Sequence, residues 1–452
     1  MILTLFASCA GFLFVADATA RDRLLVVAPE SFKDSLESFR ISRSEQLGTP
    51  VGFLSLEAVR SMDGVDDPER LKRELFRRWK AGQITAVLIV GDADVMPMRF
   101  MVLDRGTTAA FDTAFYPSDL YYADLAHPDG SFDDWNAMKE GAHGGYFGEV
   151  HGETNKSDPM NFDAISYEPE IAVGRWPVSS PAQASEIANK TIRHQSAALN
   201  STSTSTRPIE FLFSGGWIDN RSQAQALCAT AAKSSAWSVN THAFFLPDRV
   251  PSKEVATTIL QGTPAAIFHT GHGQPDQWEG CLDRSVLASL PRTDLPPLLF
   301  SIGCSTAEIC TLPPYQPYVD VAGHSHAGTV AGEKFATFPP PPAPIQSGAL
   351  NTTSIAESAV RESSGGAIAV IGCVTGSQPS AHTLLDGFVA EMVDRPSDSI
   401  GVWWCGAVRH YVQAEKLRDL KPTESWYPAS IYFQGMKFIL LGDPTVRLFP
   451  RE

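Results

Sequence analysis

Beyond its first twenty residues the chain has no apolar stretch approaching the ~18 residues that a membrane-spanning helix requires. It has no excess of positive charge either. Lys and Arg number 36 against 51 Asp and Glu, a net charge of -15, so nothing neutralises a phosphate backbone and a nucleic-acid partner is excluded. Its seven cysteines include no CxxC and no closely spaced Cys/His set, which removes a structural zinc site. No repeat of about 20–50 residues is present, so a solenoid is also excluded. What remains is a globular composition, 43% hydrophobic and 19% charged over 452 residues, enough for two or three domains of ~150 residues.

The opening segment, MILTLFASCAGFLFVADATA, joins an apolar run to Ala18-Thr19-Ala20, the small-x-small pattern of a signal-peptide cleavage site. An exported protein cleaved after Ala20 is expected. No Lys or Arg precedes the apolar run, and the alternative reading is a buried first strand or helix. Cys9 leaves with the signal, and Cys228, Cys281, Cys304, Cys310, Cys373 and Cys405 remain. Most of these read as small buried hydrophobes, with at most an occasional disulfide.

From Arg23 onward strands and helices alternate. RLLVVAP, VGFLSLEAV, TAVLIVGDADVMP and EIAVGRWPV read as strands, and FKDSLESFRISRSE as a helix. Another helix takes Asp67 as N-cap and Pro68 as its first position, and stops at Gly82. Between Phe111 and about Asp163 periodicity gives way to an acidic, aromatic, irregular insertion. The low-complexity tract at residues 200–208 predicts a linker between an N-terminal unit, 21–199, and a C-terminal unit, 209–452. There IEFLFSGG, THAFFLP, AAIFHT, LPPLLFS, AIAVIGCV and FILLG restart the alternation. The expected fold class is α/β, two adjacent units with mostly parallel sheets covered by helices.

Two segments carry chemistry, AAIFHTGHGQPDQW and LPPLLFSIGCSTAEI. Each is a short apolar run that ends in small residues, which places His272 and Cys304 at the carboxyl ends of buried strands, the edge where open α/β sheets bind ligands. Their spacing of 32 residues is the length of one strand-to-strand crossover. A helix start expected after Cys304 would favour thiolate through its amide dipoles. The glycines beside His272 allow close backbone approach and present amides to an oxyanion. Taken singly, an unpaired cysteine reads as core, and a histidine between glycines as a turn residue. His269 is the competing histidine, but it falls inside the apolar run and reads as structural. Together His272 and Cys304 make a cysteine nucleophile with a histidine partner.

GHGQPDQW, LLFSIGCSTAE, PEIAVGRWPV, AVLIVGDADVMP, YPSDLYYAD and ILLGDPTV together resemble the gingipain-type cysteine peptidases of the caspase-like clan, over the span from about Arg23 to the end. The resemblance implies a caspase-like α/β fold of two side-by-side subdomains. It also implies His272 as catalytic histidine, Cys304 as nucleophile, Glu170 as the acid that orients the histidine, and Trp278 as an aromatic wall of the substrate cleft. From its chemistry alone, Glu170 is a solvated charge at a strand start. Where the family commonly shows a glycine and an aromatic after the nucleophile, this chain has Ala307 and Ile309, which predicts a different turn. Similar peptidases carry calcium, and Asp119 and Asp124 are the first candidate ligands in the acidic insertion. A plain acidic surface loop is the favoured reading there, and His324 and His326 lack a third ligand.

The function expected is an exported cysteine endopeptidase acting on protein or peptide substrates, monomeric and with no cofactor required for its chemistry. The amides of Gly273 and Cys304 would stabilise its oxyanion. The alternatives are a sortase-like transpeptidase using the same dyad, and a non-catalytic scaffold that binds peptides.

Overall fold

Ten of the short apolar runs assemble into one sheet. In the computed structural model they are β1 (Leu24–Ala28), β2 (Gly52–Ser55), β3 (Ala86–Val90), β4 (Ala172–Trp176), β5 (Arg207–Ser214), β6 (Trp237–Phe244), β7 (Ala266–Thr270), β8 (Leu298–Ser301), β9 (Ala369–Cys373) and β10 (Phe438–Gly442). The described residues are 22–102, 115–139, 145–148, 160–161, 163–200, 207–214, 221–244, 252–310, 317–320, 322–328, 353–362, 365–421, 432 and 434–448. The expected signal peptide and residues 201–206 of the expected linker lie outside them. On either side of 201–206 the chain is regular, with a helix reaching Asn200 and β5 beginning at Arg207.

The strand order is β2-β1-β3-β4-β10-β9-β8-β7-β5-β6. Every neighbouring pair is parallel except β9 with β10. The two α/β units are therefore halves of one continuous sheet, and they run in opposite directions. The last strand, β10, is the seam: it is parallel to β4 and antiparallel to β9. One consequence governs the site. The carboxyl ends of β7, β8 and β9 share an edge with the amino ends of β4 and β10.

Helices Lys33–Leu47, Asp67–Lys80, Pro181–Asn200, Ile355–Arg361, Ala381–Asp394 and Ile400–Ala414 accompany the sheet. The β1, β3 and β9 strands are buried along their whole length, as parallel strands covered on both faces must be. Two local expectations shift. Asp66 rather than Asp67 caps its helix, its carboxylate accepting from Glu69 N at 3.0 Å, so Pro68 becomes the second helical residue. The run VGFLSLEAV is a strand only to Ser55, whose side chain then caps a short helix, Leu56–Arg60.

The seam explains two glycines. A Cβ on Gly174 of β4 would lie 2.3 Å from Gly442 O, and Gly442 itself has a φ of 145°. Beyond the seam, Asp443 receives the buried Arg43 guanidinium at 3.1 Å, and Arg43 also donates to Thr445 O at 2.8 Å. The first long helix is thereby tied to the last strand. Gly174→Ala is expected to lower stability by about 1–3 kcal/mol, because the new methyl must displace backbone rather than a side-chain end. Urea denaturation checks it, with an unchanged midpoint as the contrary result.

Candidate active site

β7 and β8 are adjacent and parallel, and their register pairs His269 with Ser301. His272 and Cys304 each lie three residues further on, just past the ends of strands about 4.8 Å apart. Gly271, with a φ of 140°, turns the chain out of β7 into a conformation that a side chain would oppose. His272 then leads into a tight hairpin in which Gln274 faces Gln277 and Gly273 faces Trp278.

The two loops touch through backbone. A Cβ on Gly303 would lie 2.9 Å from Gly273 N and 3.1 Å from Gly271 O, and one on Gly273 would lie 2.7 Å from Cys304 O. Only glycine fits on both sides of this contact. In the hairpin Glu279 N donates to His272 O at 3.1 Å, so pairs alternate and the Gly273 N–H points away from the ladder. Its nitrogen lies beside the Gly303–Cys304 turn.

Beneath this contact lies a layer that sequence reasoning did not assign. The His269 ring, fully buried, bonds Ser301 Oγ at 2.9 Å, and Gly303 N donates to the same oxygen at 3.1 Å. Burial pushes His269 down to about 3, which keeps it neutral. His269 is thus structural, as expected. The sequence signal was available in hindsight: His269 and Ser301 precede His272 and Cys304 by the same three residues. Trp278 is only 2% exposed, and its indole stacks on His269 with centroids 4.6 Å apart and planes 6° from parallel. It braces this layer from below instead of lining an open cleft wall.

After Cys304 the chain makes a turn and continues irregularly through Cys310, so the expected helix dipole is not what faces the thiol. The positive φ falls on Ser305, at 53°, and not on Ala307. Ser305 N donates to Thr375 O at 2.8 Å and Ala307 N to Cys373 O at 2.9 Å, which lays this segment across the end of β9. Ala307 fits because Gly372 lies opposite, where a Cβ would come within 3.0 Å of the Ala307 methyl. Ile309 is buried core. The sulfur itself accepts a hydrogen bond from Ser377 N at 3.3 Å. None of the six described cysteines is in a disulfide; Cys281, Cys310, Cys373 and Cys405 are buried, while Cys228 and Cys304 are partly exposed, Cys304 at the sheet edge.

Glu170 does not orient His272. It precedes β4, and the order β4-β10-β9-β8-β7 puts four strand spacings, ~19 Å, between its strand and that of His272. Its carboxylate accepts from Leu125 N at 2.6 Å and Ala126 N at 3.1 Å. Burial raises it to about 7 against the pull of those two amides.

Asp119 and Asp124 are buried and held by protein groups, so the acidic insertion is not a surface loop around them. Asp119 is spent on the buried Arg175, which grips both oxygens at 2.7 and 2.8 Å. Asp124, fully buried, accepts from Trp135 Nε1, Ser166 Oγ and Tyr167 N. The cation near Asp124 and Asp133 is Lys72, whose ammonium lies 4.6 Å from the Tyr121 ring centre and 4.9 Å from that of Trp135. Among the described residues no group of three His, Cys, Asp or Glu is placed to hold a metal. His324 and His326 both turn to Asp320, at 3.5 and 2.9 Å.

The model of peptidase family C25 matches residues 17–449. Among solved structures, the Arg-specific cysteine proteinase gingipain R is 13% identical, with a TM-score of 0.60 over 95% of this chain and 78% of that one. The complex of Porphyromonas gingivalis RgpB pro- and mature domains is 14% identical, with a TM-score of 0.59 over 94% of this chain and 79% of that one. A further structure described as a protease is 16% identical, with a TM-score of 0.58 over 94% and 78%. These likenesses establish a shared fold, the gingipain caspase-like one. No curated protein matches the chain.

Two substitutions probe the geometry. Gly303→Ala is expected to slow turnover by ~10²-fold while the protein stays folded, because the methyl separates the loops by a fraction of an ångström to an ångström. Unaltered turnover would mean the glycine contact does not set the spacing. Glu170→Gln is expected to keep turnover within a few-fold, far from the ~10⁴-fold loss seen when a histidine-orienting acid is removed. Its effect should appear in stability. Because Glu170 is raised in the folded chain, its contribution is full below the unfolded value of ~4.3 and is lost as pH rises through about 7. Melting curves at pH values across that window should therefore fall less steeply for Glu170→Gln than for the parent.

Proposed function

The chain belongs to peptidase family C25 and is a cysteine peptidase, and we propose that it hydrolyses peptide bonds with Cys304 as nucleophile and His272 as proton carrier. The observation that supports this most is the β7–β8 register, which pairs His269 with Ser301, each three residues before one of the two. The Cys304 thiolate attacks the peptide carbonyl carbon, a C–S bond forms, and the carbonyl electrons move to oxygen. The amides of Gly273 and Cys304 receive that oxyanion, and the outward direction of the Gly273 N–H suits the task. His272 delivers a proton to the leaving nitrogen as the C–N bond breaks. It then takes a proton from water, whose oxygen displaces the sulfur from the thioester.

Export belongs to the same proposal. It rests on the apolar first segment that ends in Ala18-Thr19-Ala20. Among the described residues no helix is long and apolar enough to cross a membrane. The mature N terminus, read by mass spectrometry from the native host, is expected at Arg21, and a product retaining residues 1–20 would contradict export by this route.

Denatured casein is the direct test of the chemistry. Cys304→Ala is expected to abolish cleavage and His272→Ala to lower kcat by ~10²–10⁴. Cleavage that survives Cys304→Ala would sink the assignment.

A further inference from the structure

We propose that the backbone amide of Ser377 holds the Cys304 sulfur in its anionic form, and that Gln434 is the positioning residue that keeps this amide in place. The proposal rests on the reading of Cys304 as the nucleophile, and it adds a donor separate from the two amides that face the oxyanion.

The geometry around the sulfur favours acceptance. Ser377 N stands 3.3 Å from Cys304 Sγ, whereas Ser377 O, the atom a neutral thiol would donate to, stands 3.8 Å away. The nearer contact is the one in which sulfur accepts, and a hydrogen bond to a charged acceptor is the stronger kind. No helix follows Cys304 to supply this stabilisation by its dipole.

The donating peptide unit is gripped at both ends. Its carbonyl, Gly376 O, accepts from Lys437 Nζ at 3.3 Å, so an ammonium polarises the same amide whose N–H meets the sulfur. On the other side Gln434, fully buried, uses both halves of its amide on consecutive residues: Nε2 donates to Ser377 Oγ at 3.1 Å and Oε1 accepts from Gln378 N at 3.0 Å. Val374 N donates to Lys437 O at 2.8 Å, and Ser305 N to Thr375 O at 2.8 Å. The segment from Val374 to Gln378 is thus strapped to the approach to β10 on one side and to the Cys304 turn on the other. A buried glutamine with no contact to the sulfur is an expensive residue to keep for packing alone, since each half of its amide needs a partner.

The test reads the sulfur directly and does not depend on peptide cleavage. At about pH 6.5, where an ordinary thiol is largely protonated, the full chain, Gln434→Leu, Gln434→Glu and Ser377→Pro are compared by the rate of Cys304 alkylation with iodoacetamide. The thiolate absorbance near 240 nm, taken against Cys304→Ser, is recorded in parallel. Ser377→Pro deletes the donor N–H, and Gln434→Leu releases the loop that carries it. Both are expected to slow alkylation about tenfold and to lower the thiolate band, the usual worth of one hydrogen bond to a charged acceptor. Gln434→Glu, which can still accept from Gln378 N, should recover part of the loss. In casein assays the same variants should lose kcat with KM unchanged. If Ser377→Pro fails to fold, Gln434→Leu decides the question alone. Rapid alkylation of the parent with equal rates in folded variants would overturn the Ser377 and Gln434 roles and leave the nucleophile standing. A parent Cys304 that labels no faster than an ordinary thiol would overturn both.

Discussion

The close approach of two backbones, at Gly273 and Gly303, is the constraint on which the rest of the site depends. With less than 3 Å between where a Cβ would sit on Gly303 and the amide of Gly273, the loops that carry imidazole and thiol meet backbone to backbone with no room for a side chain between them. Everything beneath serves that contact. His269 and Ser301 join the two strands one layer down, Ser301 fixes Gly303 N, and Trp278 stacks on His269 and so holds the hairpin that begins at Gly273. A thiol and an imidazole on flexible loops would meet in many geometries. Here the polypeptide itself sets the spacing, before any side chain is chosen.

A second constraint acts at the scale of the whole sheet. The antiparallel seam between β9 and β10 reverses the direction of one half relative to the other, so the active edge is built from carboxyl ends on one side and amino ends on the other. This is why Glu170, at the amino end of its strand, lies on the same edge as Cys304 and yet is four strands from the strand that carries His272. The seam also brings the approach to β10, with Gln434 and Lys437, beside the loop that leaves β9 and reaches the sulfur. The approach to β10 thus adds to a site whose proposed nucleophile lies far earlier in the sequence.

Much of this was legible in the sequence, and the parts that were not share a cause. Short apolar runs ending in small residues located β7, β8, β9 and β10, and they put His272 and Cys304 at the carboxyl ends of two neighbouring strands, just past which both lie. These are local signals, carried by period and punctuation. The fate of the acidic residues was not local. Asp119 is consumed by Arg175, and Asp124 lies near Lys72, partners fixed only when distant segments pack. A carboxylate reads as solvated until its cation is known. Ala307 showed the same limit in reverse: it departs from the family pattern, but Gly372 on a separate strand makes room for it. Ser377 was beyond reach, because a backbone amide leaves no mark in a residue pattern.

The most direct measurement is to stop turnover of a peptide ester with acid and map the covalent adduct by mass spectrometry. The account predicts an acyl group on Cys304, joined as a thioester, that accumulates within the first turnovers and is absent from Cys304→Ala. Turnover that proceeds with the acyl group on another residue, or with none at all, would contradict it.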